Sequence, residues 1–213
     1  MKAFEKELPE NYRLVKTVDC KDKKTAVVLN AAAISVTVIA LVIGLLILKP
    51  SAKSVVGAFE ENYLLSVAKL AFFLAAFLAA NILYIVLHEL THGLAYKLLT
   101  KQKLKFGFSL TFAYCGVPDI YVYRTAALIS LLAPFTVFIV LFALLAAFLP
   151  TVTFKAFAVI MLAVHLGGCV GDLYDTFLYL FKFRSGKVLM RDFGAKQEFY
   201  DITADELSKT DAI

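Results

Sequence analysis

Charge is scarce in this chain. Charged residues are 18% of the 213, against 61% apolar. A soluble domain carries about 25% charged residues and about 45–50% apolar ones, so this balance, with its strongly positive mean hydropathy, excludes an ordinary soluble domain and indicates an integral membrane protein. Cysteine is nearly missing too. Cys20, Cys115 and Cys169 stand far apart with no C-x-x-C pair. That pattern argues against a disulfide scaffold or a thiolate zinc site and leaves free thiols in apolar surroundings. No internal repeat, low-complexity tract or RNA- or DNA-reading motif is present. The net charge of +5 is therefore assigned to topology and anionic lipid headgroups, with no nucleic-acid partner.

What is present is a series of long apolar runs. Four spans are predicted, at about 25–48, 63–99, 125–149 and 154–181. The first is too long for a signal-peptide core and lacks a small-residue cleavage site, so it reads as an uncleaved helix. Pro134 predicts a kink inside the third. The stretches 1–24 and 184–213 read as polar tails around one membrane-embedded domain, 25–183. Basic residues crowd the first tail (Lys16, Lys21, Lys23, Lys24), the 100–124 connection (Lys101, Lys103, Lys105, Arg124) and the last tail (Lys182, Arg184, Lys187, Arg191). Four spans with both termini cytoplasmic satisfy the positive-inside rule throughout. The expected class is an all-α polytopic membrane protein.

One segment breaks the helical pattern. In "FGFSLTFAY", Phe106, Phe108, Leu110, Phe112 and Tyr114 take every second position, which is a strand signal. "CGVPD" reads as the turn and "IYVY" as a second short strand, giving a small β-hairpin over 104–123 at the membrane surface. Thr203 and Glu206 fit a capping box for a short last helix.

The chemistry lies in "LYIVLHELTHGLAYKLL", residues 83–99. His88 and His92, four apart, face one way on a helix about one turn apart. That spacing suits one zinc ion, with Glu89 beside the open coordination position as base. With 3 His and 8 Glu in 213 residues, an H-E-x-x-H match arises by chance with probability of about 0.002. Ionisable groups inside a span are costly, so they point to function before packing.

Two histidines need a third protein ligand, and His165, Asp172 and Asp175 all lie in the fourth span. His88 stands nine residues before Lys97 and Asp172 ten before Lys182. Both therefore sit roughly 14 Å above their basic anchors at 1.5 Å per residue. This favours Asp172, level with His88, with Asp175 second, about a turn nearer the cytoplasm and closer to the level of His92. His165, two turns above Asp172, is expected to support the site or pack helices. The small residues of "GGCVGD" permit close helix approach. Asn81, on the His88 face of its helix, is expected to hydrogen-bond a neighbouring helix or a substrate.

These residues resemble the site-2-protease-type intramembrane zinc metalloproteases: "HELTH" near the cytoplasmic end of one span, an aspartate in a small-residue segment of a later one. "HELTHG", the "KFGF" hairpin, the Ala133-Pro134 pair and "GD" in the fourth span resemble more narrowly the bacterial zincin peptidases of that superfamily, over about residues 20–185. The resemblance implies zinc on His88, His92 and Asp172, and Glu89 as catalytic base. In site-2 proteases the aspartate lies in a Leu-Asp-Gly-like context, whereas the order here is Gly171-Asp172-Leu173, and there is no room for a PDZ domain. The expected function is a membrane-embedded zinc metalloprotease acting on a membrane-protein or peptide substrate in a lipid setting. The hairpin edge would hold the unwound substrate by strand addition. The competing class is non-catalytic: a metal-binding regulator, a transporter or an inactive protease-like scaffold.

Overall fold

Helix boundaries follow local chemistry. The Asp22 carboxylate accepts the Thr25 N–H at 2.9 Å, capping α1 (Lys23–Leu48). That helix stops where Lys49 turns to φ 46° just before Pro50, which cannot continue it. α2 runs unbroken over Tyr63–Thr100 and ends at Lys101 with φ 58°. α3 is Arg124–Phe148, with Pro134 inside it. α4 is Val152–Gly168, where the Thr151 hydroxyl caps the N-terminus by accepting from the Phe154 N–H. After Cys169 come α5 (Val170–Phe177) and one π-helical turn, Leu178–Lys182.

This is a computed structural model, and it describes residues 2–50, 63–108, 113–183 and 187–202. The Thr203–Glu206 capping box lies outside the described residues. Lys23–Leu48, Leu65–Thr100 and Arg124–Phe148 are long and apolar enough to cross a membrane; Val152–Gly168 with Val170–Lys182 makes a fourth if the broken pair is one span. Large apolar side chains stand exposed along them, among them Val27, Ile47, Phe72 and Leu98. That surface is compatible with a membrane protein, because in water such a continuous apolar area would drive association.

The chain divides into two compact units. The first comprises 1–30, 89–134 and 171–213 and contains an antiparallel sheet larger than the expected hairpin. Its strands are β1 (Phe4–Glu5), β2 (Tyr12–Asp19), β3 (Lys105–Phe108), β4 (Ala113–Tyr123), β5 (Leu189–Asp192) and β6 (Lys196–Ile202). The order is β1-β4-β5-β6-β2, with β3 also on β4. The expected turn at "CGVPD" is instead inside β4, whose partner register slips between Val117 and Val122. Such an irregularity is where a strand tolerates a residue like Pro118, which has no N–H to give to the ladder.

The expected polar tails supply four of the six strands. Period-2 alternation does not mark them, because adjacent residues such as Leu189 and Met190, or Phe199 and Tyr200, are both buried. Tyr12 pairs with Ile202 and Asp19 with Lys196. Val18, Val117, Val122, Met190 and Phe199 bury the inner face against Tyr96, Leu131 and Tyr179. The turn from β5 to β6 needs Gly194, at φ 86°, where a Cβ would overlap the Tyr114 ring.

The second unit comprises 31–88 and 135–170. It packs Tyr84, Phe138, Phe142 and Met161 into one cluster. A Cβ on Gly167 would overlap the Thr37 hydroxyl and lie 2.7 Å from the Ala33 carbonyl, so α1 and α4 approach closely here. The "GGCVGD" run predicts close approach of this kind.

Candidate metal centre

The H-E-L-T-H residues lie on α2, which is helical throughout, so the two imidazoles stand one turn apart on one face. His88 is the last residue of the second unit's segment, and Glu89 and His92 belong to the first. Both histidines are buried, and Glu89 is half-buried.

In the first unit, His92 Nδ1 lies 2.7 Å from the carbonyl oxygen of Ser130. In an ordinary helix that oxygen accepts the N–H of the residue four further on. Here that residue is Pro134, which has no N–H. The carbonyl so released accepts Nδ1–H of His92 instead. A neutral ring with hydrogen on Nδ1 presents a bare Nε2, and His92 Nε2 lies 3.4 Å from Asp172 Oδ1. Asp172 enters from the first turn of α5, its side chain one-fifth exposed. Asp175, one turn on, is buried, and its Oδ1 has no hydrogen-bond partner among the described residues.

The sheet anchors this part of α2. Tyr96, one turn past His92, donates to Asp192 Oδ2 at 2.7 Å, and the Gly194 N–H donates to Asp192 Oδ1 at 2.7 Å. Burial pushes the Asp192 carboxyl up to about 6, and the hydrogen bonds from Tyr96 and Gly194 offset part of that rise.

In the second unit, the Tyr84 hydroxyl lies 3.1 Å from His88 Nδ1 and 2.8 Å from His165 Nδ1. His165 Nε2 is 3.2 Å from the Phe135 carbonyl, and Cys169 Sγ is 3.6 Å from His165 Nδ1. Asn81 donates to the Phe77 carbonyl at 2.8 Å and contacts Met161 Sδ at 3.6 Å. That contact ties α2 to α4 within this unit, as the helix-packing expectation has it.

Sequence reasoning singles out neither Tyr84 nor the Ser130 carbonyl. Both carry a signal, however: Tyr84 lies four residues before His88, and Ser130 four before a proline inside a span.

No curated protein and no solved structure matches the chain. A family model does match, over residues 81–188, which takes in the H-E-L-T-H helix, β3 and β4, α3 and the segment bearing Asp172. That is about half of the 213 residues, and it makes the chain a member of the family described as "Putative zincin peptidase".

Proposed function

We propose that the chain is a membrane-embedded zinc metallopeptidase in which His88, His92 and Asp172 hold the metal and Glu89 is the base. The family suggests a metallopeptidase and implies zinc. The observation that carries the reading is His92, with Nδ1 committed to a main-chain carbonyl and Nε2 toward a carboxylate. The donor set fits zinc. Ligands about 2.0–2.1 Å from a tetrahedral ion stand roughly 3.3 Å apart, close to the 3.4 Å between His92 and Asp172. His88 adds a second imidazole one turn away, the spacing by which two helical histidines share an ion.

Zinc bound there supplies a Lewis acid that acidifies water and polarises a carbonyl. Glu89, between the two ligands in sequence and half-buried, takes the proton of the attacking water and returns it to the leaving amine. The exposed apolar flanks of α1, α2 and α3 suit a lipid setting, and with it a membrane-protein or peptide substrate. Strand β2, from the N-terminal stretch, pairs with β6, from the C-terminal one. That pairing supports an even number of crossings, with both ends on one side. Kinship with site-2 proteases belongs to the same proposal.

The test uses zinc-loaded protein in micelles and a pool of single-span peptides, with new termini read by mass spectrometry. Glu89→Gln keeps its zinc and loses cleavage by about 100-fold or more. Equal cleavage by Glu89→Gln, or no cleavage by either protein, sinks the peptidase reading.

A further inference from the structure

The hydrogen bonds around His88 have a direction, and it can be read from the far end. The carbonyl oxygen of Phe135 only accepts, so the His165 nitrogen 3.2 Å away, Nε2, carries hydrogen. A neutral His165 then has a bare Nδ1. The Tyr84 hydroxyl, 2.8 Å from that nitrogen, donates its hydrogen to it. The Tyr84 oxygen is left as an acceptor toward His88 Nδ1 at 3.1 Å, which requires hydrogen on Nδ1. His88 Nε2 is then bare.

We infer that Tyr84 and His165 are positioning residues that lock His88 in the tautomer with hydrogen on Nδ1, the form in which the Nε2 lone pair can ligate a metal. The relay runs from the Phe135 carbonyl through His165 and Tyr84 to His88, and it rests on the zinc reading above. It gives His88, through two side chains, the constraint that His92 receives from Ser130. A metal-bound histidine needs its second nitrogen held, and losing such a partner costs about 10–100-fold in metal affinity.

The surroundings keep the relay intact. His165 is fully buried. The Tyr84 ring stands edge-on to Phe138 at 5.3 Å and to His165 at 5.6 Å. Competing water is kept out there, and hydrogen bonds strengthen in such apolar surroundings. His88, His165 and Cys169 also offer ligand atoms within 4.8 Å of one another. The Tyr84 oxygen, however, bonds both Nδ1 atoms, so it stands where an ion shared by those nitrogens would have to sit.

Two measurements test the relay. The first is the tautomer of His88 in metal-free protein, read from nitrogen–proton NMR correlations of histidine-labelled protein in micelles. Wild type shows hydrogen on Nδ1, and Tyr84→Phe moves it partly or wholly to Nε2. The second is zinc affinity by chelator competition. Tyr84→Phe and His165→Leu each bind about 10–100-fold more weakly. His165→Gln stays within about threefold, because its amide accepts from Tyr84 and donates to Phe135. The double variant Tyr84→Phe/His165→Leu is no weaker than Tyr84→Phe alone, because both changes break one chain.

Wild-type affinity with an unmoved tautomer in Tyr84→Phe overturns the relay. So does a second zinc equivalent that is lost in Cys169→Ser. His92→Ala separates the two readings: if it binds zinc like wild type, the zinc site fails, while the metal-free tautomer still decides the relay.

Discussion

His92 Nε2 stands 3.4 Å from Asp172 Oδ1, and the two residues come from helices about 80 positions apart in the chain. Depth reckoned from basic anchors favours the same aspartate but sets it level with His88 and puts Asp175 nearer the level of His92, whereas the acid found beside His92 is Asp172. The proposal makes Asp172 a ligand and leaves Asp175 as a buried acid whose Oδ1 has no hydrogen-bond partner among the described residues.

Metal content separates the two acids. One zinc per chain is expected in the wild type and in Asp175→Asn, and close to none in His88→Ala, His92→Ala or Asp172→Ala. Zinc kept by Asp172→Ala and lost from Asp175→Asn would reassign the third ligand.

Sidedness gives a second prediction. With both termini inside, Thr153 at the start of α4 faces out and Lys103, just after α2, faces in. In a chain with Cys20, Cys115 and Cys169 changed to alanine, a membrane-impermeant maleimide should label Thr153→Cys on intact cells. Lys103→Cys should react only after permeabilisation. The reverse pattern would invert the topology and with it the proposed depth of the metal site.

Asp192 predicts a pH dependence of stability. Its carboxyl is pushed from 3.8 up to about 6, by burial. Between those values the folded chain binds the proton more tightly than the unfolded one, so stability falls as pH rises through the window and levels off above it. The loss is at most about 3 kcal/mol, at 1.36 kcal/mol per unit. Thermal midpoints of wild type and Asp192→Asn between pH 4 and 7 check this. Other carboxylates cancel in the difference, which should grow in favour of the variant as pH rises; parallel curves would refute it.

The sequence makes some features plain and hides others for physical reasons. Apolar runs about 25 residues long declare α1 and α3 because no other element needs so many in a row. The H-E-L-T-H spacing declares His88 and His92 because helix geometry is local. Strands β1, β2, β5 and β6 are missed because the pairing that makes them a sheet, such as Leu14 with Tyr200, joins opposite ends of the chain. A sequence window sees one strand's weak pattern and not its partner. Tyr84 belongs to the same category: it is an unremarkable polar residue until packing places its hydroxyl between His88 and His165.

Pro134 allows the sharpest test of how the chain prepares its metal site. Its missing N–H leaves the Ser130 carbonyl for His92 Nδ1. Pro134→Ala restores a helical N–H that competes for that oxygen. Two effects are then expected in opposite directions. The metal-free protein gains thermal stability, because proline inside a helix costs about 3 kcal/mol relative to alanine. Zinc affinity falls by about tenfold, because His92 loses the partner that fixes its tautomer. A proline kept only for a kink would change helix geometry without moving the His92 nitrogen–proton signature. Chelator competition and the His92 tautomer, measured on Pro134→Ala and wild type together, distinguish the two roles. Unchanged affinity with an unchanged tautomer would reduce Pro134 to a kink.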